Sequence, residues 1–229
     1  MELLRSVLKN LPEFQELTAA LEGGKSPAAV SGLAAVHRAH FAAALGQETG
    51  RPVVVVCADE GEAGRMARDL SYLTGGEVPV LASRSFVFHS IATVSRQWEH
   101  RRLALLWKLR NGELPCLVAT VEALQQRTLP PEVLDSACTV LEPGQQADLN
   151  QLTEALTAAG YVRCDQVEGA GQFALRGGIL DVFSPGMAAP VRAEFWGDEL
   201  DTMGTFDPST QRRTENVDRA VLLPAAETL

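Results

Sequence analysis

Two folds in succession are predicted for this chain: an α/β domain with a parallel sheet, then a smaller α+β domain with an antiparallel sheet. Three observations predict them. Apolar runs at residues 53–58 (VVVVCA), 78–82 and 116–120 alternate with helix-spaced segments, as strands covered on both faces by crossover helices do. From residue 160 onward the runs are instead short and punctuated by Gly and Pro, and VRAEFW at 191–196 repeats with a period of two. Pro130 and Pro131 begin the turn between the two patterns. The expected domains are therefore residues 1–136 and 137–224, with 225–229 opening a further segment.

Taken in order, residues 2–21 have helical spacing, with Leu4, Leu8, Leu11 and Leu17 on one stripe that Pro12 divides in two. Gly24, Lys25 and Ser26 imitate the end of a phosphate-binding loop, but Ala19 stands where the motif needs Gly, and a helix precedes it instead of a strand. An Ala-rich helix follows through His37, His40, Phe41 and Leu45. Asp59 and Glu60 after the first strand could be metal-binding acids, or Asp59 could cap the helix EGEAGRMARDLSYL, where a carboxylate meets exposed amides. The cap is favoured.

Residues 95–110 and 121–127 read as further helices, and 133–141 as a fourth strand or a crossover. In SRQWEHRRLALLWKLR, Trp98, Leu105, Leu106 and Leu109 are expected to face the sheet, leaving Arg96, His100, Arg101, Lys108 and Arg110 in solvent. Asp148 is the expected cap of a helix over 149–159 that stops at Gly160. Asp207, Pro208 and Ser209 supply turn chemistry, and a last strand falls near 221–223.

The strand at 191–196 divides its side chains between two faces. Val191, Ala193 and Phe195 point one way, and Arg192, Glu194 and Trp196 the other. In residues 172–183, Phe173, Leu175, Ile179 and Phe183 share one parity and Arg176 the other, with Gly177 and Gly178 able to bulge the strand. Arg176 can thus join Arg192 and Trp196 on one outer surface. An aromatic beside arginines is the composition of a recognition hot spot. The alternative is that Trp196 packs under a helix and the arginines pair with Glu194, Asp198 or Glu199.

Composition narrows the classes of function. The 229 residues, 46% hydrophobic, suffice for a real core. There is neither a run of about 18 apolar residues nor a signal-peptide core, so a cytoplasmic chain without a membrane span is expected. Cys57, Cys116, Cys138 and Cys164 are far apart in apolar runs, which reads as buried reduced thiols and not as a metal site. The net charge of −9 is uneven: residues 84–127 carry seven basic and three acidic side chains, residues 128–229 six and sixteen. So acidic a portion repels phosphate, which points to a protein partner and makes Arg176 and Arg192 conspicuous.

The motifs GQFALRGGILDVFSPG, PVRAEFWGDELD, FDPSTQRR and LLPA occur in one order. Together they resemble the amino-terminal module of the bacterial transcription-repair coupling factor family, itself similar to the excision-repair helicase UvrB. The resemblance covers nearly the whole chain and is strongest over residues 160–225.

It implies a degenerate helicase-like first domain. VSGLAAV at 30–36 aligns with the helicase phosphate loop, where Gly32 matches but Ala34, Ala35 and Val36 replace the Gly, the Lys that reaches the phosphates and the hydroxyl that holds Mg²⁺. No bound cofactor and no catalytic residue are therefore expected. UvrB's aromatic DNA-threading hairpin has no counterpart, since residues 84–95 are short and offer only Phe86 and Phe88. The second domain is expected to bind UvrA through Arg176, Arg192 and Trp196. RNA polymerase and DNA would be met only through parts that follow in the longer family proteins.

Two other functions compete. An ATP-dependent DNA helicase fragment would need a working phosphate loop. A hydrolase using Asp198, Glu199 and Asp201 would need a His, Ser or metal-ligand companion, and an acid-rich turn is the commoner meaning of WGDELD.

Overall fold

A computed structural model describes residues 7–84 and 96–227. The expectations for Leu4, for Phe86 and Phe88, and for residues 228–229 lie outside the described residues. The chain is mixed α/β, with parallel and antiparallel sheets. It divides into two compact units, Met1–Phe86 with Gly112–Arg127 and Val87–Asn111 with Thr128–Leu229.

In the first unit Pro12 opens the helix Pro12–Glu22, a position where its missing N–H satisfies nothing in any case. Phe14 of that helix is buried edge-on to Phe41 of the helix Ala35–Thr49, ring centroids 5.2 Å apart. Strands β1 (Val53–Cys57), β2 (Val80–Leu81) and β3 (Cys116–Thr120) form a parallel sheet in the order β1-β3-β2. The central β3 is buried along its whole length. The edge strand β1 differs from the expectation of two covered faces, because Val54 and Val56 are half-exposed. They alternate with Val53, Val55 and Cys57, which pack into the core, so at β1 the sheet is covered on one face only.

Asp59 caps the helix Glu60–Thr74: its Oδ1 accepts the Glu62 N–H at 2.8 Å, and the Glu62 carboxylate accepts the Ala58 N–H at 3.1 Å. Two amides left without helical partners are thereby satisfied reciprocally.

Residues 133–141 do not join the parallel sheet. Helix Pro131–Ala137 leads into β4 (Thr139–Leu141), which pairs antiparallel with β11 (Ala220–Leu222) in the second unit. There the main sheet has the order β10-β9-β8-β7-β6-β5, with β5 (Val162–Arg163) parallel to β6 (Gln172–Arg176). Strands β7 (Ile179–Phe183), β8 (Val191–Trp196), β9 (Glu199–Phe206) and β10 (Arg213–Asn216) continue it antiparallel.

The core lies on one face of this sheet. Phe173, Leu180, Val182, Val191, Ala193 and Met203 pack with Leu152 and Leu156 of the helix Leu149–Ala158. Asp148 caps that helix, accepting from the Asn150 N–H at 2.7 Å, and the chain leaves it through Gly160 at φ +87°.

Helix Gln97–Arg110 belongs to this unit, with Trp98, Leu105 and Leu106 at least partly covered and Arg96, Arg101, Lys108 and Arg110 exposed as expected, but His100 and Leu109 on the other side. His100, Arg102, Leu103 and Leu105 are buried while Leu109 is exposed. The polar residues are inside because partners distant in sequence meet them. The Arg102 Nε donates to Glu227 at 2.8 Å, with both side chains nearly inaccessible, and a His100 ring nitrogen lies 3.1 Å from the Ala225 carbonyl oxygen. A buried charge is tolerable only when so paired.

Candidate functional site

The face of the main sheet opposite its core carries the candidate residues. Alternation along β8 places Val191 and Ala193 inward, with Arg192, Glu194 and Trp196 on the other parity, as expected. Residues 172–183 are not one bulged strand: Gly177 and Gly178 form the two-residue turn between β6 and β7, and Arg176 pairs with Ile179 across it. Gly177 sits at φ +60°, a conformation a Cβ penalises. Because the chain reverses there, Ile179, Asp181 and Phe183 share the face of Arg176, while Leu180 and Val182 turn into the core.

Arg176 and Arg192 therefore converge on Asp181. The Arg192 Nε lies 2.6 Å from Asp181 Oδ1 and its Nη2 2.9 Å from Oδ2, and the Arg176 Nη2 reaches Oδ2 at 2.6 Å. The Asp181 side chain is 1% exposed, Arg192 17% and Arg176 51%. One buried carboxylate thus anchors two guanidiniums, which leaves one positive charge in excess and grades the pair from fixed to free. Neither arginine uses Asp198 or Glu199 in the pairings seen here.

Arg192 is held further. Its guanidinium carbon lies 4.6 Å from the centroid of Phe206, and its Nη1 and Nη2 donate to the Gln211 carbonyl and side-chain oxygens at 3.2 and 3.4 Å. Hydrogen bonding to Asp181, with the charges of Asp181 and Glu194, raises the Arg192 pKa against the opposing effect of burial. Beside it, Arg213 donates to Glu194 at 3.1 Å and Thr202 at 3.3 Å. Arg213 passes directly over Gly204, where any side chain would collide with its guanidinium and with the Glu215 carbonyl.

Trp196 is 86% exposed at the end of β8, facing Glu199 across the Gly197–Asp198 turn. It does not pack under a helix. The acids of WGDELD accordingly flank a tight hairpin, as the commoner meaning of that motif predicts.

Sequence reasoning missed Asp181, Phe206 and Gln211. The signal for Asp181 was present, since a carboxylate within ILDVF must be buried and so must find a cation. Nothing local marked Gln211.

In the first unit, Ala34 precedes the helix Ala35–Thr49 without a side-chain cap, and Gly32 at φ +82° lies in the exposed loop before it. Among the described residues, no group of three or more His, Cys, Asp or Glu side chains could hold a metal ion, and no helix is long and apolar enough to cross a membrane. Cys57 and Cys116 are buried and Cys138 and Cys164 half-buried free thiols; burial pushes the Cys138 thiol up to about 11.

Residues 140–227, which include the whole arginine face, match the UvrB interaction domain. The chain is also similar to proteins named transcription-repair-coupling factor. That of Bacillus subtilis is 29% identical over 99% of this chain and 19% of its own length. That of Myxococcus xanthus is 35% identical over 86% and 17%, and that of Escherichia coli 32% over 82% and 16%. The chain thus spans less than a fifth of the length of these relatives. Residues 140–227 match the UvrB interaction domain, within a chain similar along most of its length to the transcription-repair-coupling factors.

Proposed function

We propose that this chain is a non-catalytic, UvrB-mimicking interaction module that recruits UvrA, the damage sensor of nucleotide excision repair, to stalled transcription complexes. The contact residues are Arg176, Arg192 and Trp196. The observation that carries this reading is their assembly on one sheet face within a UvrB interaction domain: two arginines on the buried Asp181 carboxylate and an indole that is 86% exposed. A pre-oriented guanidinium loses little freedom on binding, and an aromatic in the open gains most when covered.

The first unit serves as a degenerate helicase-like scaffold. Ala34, Ala35 and Val36 provide neither the ammonium that reaches a terminal phosphate nor the hydroxyl that ligates Mg²⁺, so the module neither binds nor hydrolyses ATP. RNA polymerase and DNA are contacted by other parts of the longer proteins.

Titration of labelled chain with UvrA, followed by fluorescence anisotropy, tests the reading. Saturable binding that Arg176→Glu weakens, with an unchanged thermal melt, supports it. Absence of saturable binding by the parent chain overturns it.

A further inference from the structure

We infer that Gln211 is a positioning residue of the arginine face: from a left-handed backbone conformation it locks the Arg192 guanidinium against Phe206, and through the shared Asp181 oxygen it sets where Arg176 lies. The inference rests on the reading that this face binds UvrA. Gln211 has φ +60°, and among the described residues it is the non-glycine residue with positive φ. A side chain in that region is strained and persists only where its surroundings over-determine it.

Those surroundings are visible. The Gln211 N–H donates to the Asp207 carbonyl at 2.7 Å, while the Asp207 carboxylate accepts from the Ser209 and Thr210 N–H groups at 2.7 and 3.0 Å. The Gln211 side-chain amide donates to the carbonyls of Pro208 and Val167 at 2.7 and 3.3 Å. Val167, Ala174 and Phe206 form a small buried cluster on the arginine side of the sheet. The turn is thereby pinned at both ends, and its outcome is to present two oxygens of one residue to Arg192.

Their geometry decides what Arg192 can do. Asp181 takes the Nε edge and one Nη2 proton, and Gln211 takes the other Nη2 proton and one on Nη1. With Asp181 alone the guanidinium could pivot about the carboxylate; with Gln211 opposite, it cannot. Asp181 Oδ2 also accepts from Arg176, so a pivot of Arg192 would displace Arg176 as well.

The test uses Gln211→Gly, with Gln211→Asn as the second variant should the first fail to fold. Glycine accepts positive φ without strain and keeps the backbone carbonyl at Nη1, but removes the side-chain amide, and with it the oxygen at Nη2 and the donor that pins the turn to Pro208 and Val167. Nitrogen-detected NMR of the Arg192 guanidinium reports rotation about its Nε–Cζ bond, which a purely structural role elsewhere in the turn would not alter. The parent chain is expected to show separate Nη1 and Nη2 signals. In the variant these merge, the thermal melt is retained, and UvrA binds on the order of tenfold more weakly, as for loss of a charge-assisted hydrogen bond. Separate signals in the variant overturn the proposal, as does a merged pair with unchanged affinity. A parent chain that binds no UvrA counts against the interaction reading instead, and the NMR comparison then decides alone whether Gln211 holds Arg192.

Discussion

Arg192 grips both oxygens of Asp181, its Nε 2.6 Å from Oδ1 and its Nη2 2.9 Å from Oδ2. A charge that is 1% exposed is thereby neutralised by one that is itself mostly covered. The same residue offered as an interaction contact is thus also part of what holds β7 and β8 together.

Arg192→Ala is expected to destabilise the second unit as well as weaken UvrA binding. Breaking a buried pair leaves an uncompensated carboxylate, and the half-exposed Arg176 offsets only part of it, so the expected loss is about 3 kcal/mol. Urea unfolding measures it. Replacing both partners, Arg192→Met with Asp181→Leu, should restore most of the stability but not the binding. A single variant as stable as the parent would show that the pair contributes little.

Arg176→Ala separates the two roles. Asp181 keeps its bidentate partner, and an exposed ion pair contributes less than about 1 kcal/mol, so the melt should barely move. Affinity for UvrA should fall by about 2 kcal/mol if the guanidinium is covered in the complex. Equal losses of stability and affinity would make Arg176 a structural residue.

How much of this was legible follows from the range of the interactions. The parity of β8 and the caps at Asp59 and Asp148 were readable because each depends on residues at most a few positions away. Asp181 was missed because the reversal at Gly177–Gly178 changes which parity faces outward, and a strand read as continuous puts Ile179 on the wrong side. On helix Gln97–Arg110 the expected faces hold except at His100 and Leu109, for a different reason. His100 and Arg102 are buried against Ala225 and Glu227, whose positions no local pattern announces.

His100 gives the second unit a dependence on pH. Burial lowers its pKa; the Ala225 carbonyl and Glu99 oppose the shift and Arg96 adds to it. The folded pKa is below the unfolded value of about 6.5, so near that pH the unfolded chain binds more protons. The contribution is therefore full above about pH 6.5 and is lost as pH falls through the folded pKa. His100→Gln keeps a donor for the Ala225 carbonyl without titrating. Its stability should fall less than the parent's between about pH 7 and pH 5. Parallel profiles would assign the titration to another group.

ATP should not bind. At the positions aligned with the helicase phosphate loop, Ala34, Ala35 and Val36 offer backbone amides but neither the ammonium for phosphate nor the hydroxyl for Mg²⁺. A fluorescent ATP analogue titrated at millimolar Mg²⁺ is expected to show no saturation, and saturable micromolar binding would remove the non-catalytic reading.

Trp196 is the most direct probe of the face. With 86% of its surface exposed and no core contact to lose, Trp196→Ala should leave the thermal melt unchanged, which distinguishes it from Arg192→Ala. Its indole should be quenched freely by acrylamide in the isolated chain. Trp98 and Trp107 are partly covered on the helix Gln97–Arg110 and would mix into the signal, so the measurement is made with both replaced by Phe. Addition of UvrA should then protect Trp196 if it sits at the centre of the contact, since a hot-spot aromatic is desolvated by the partner around it. Protection that persists in the Arg176→Glu variant would place the indole in a contact independent of the arginines. Quenching unchanged by saturating UvrA would remove Trp196 from the site and leave recognition to the two arginines.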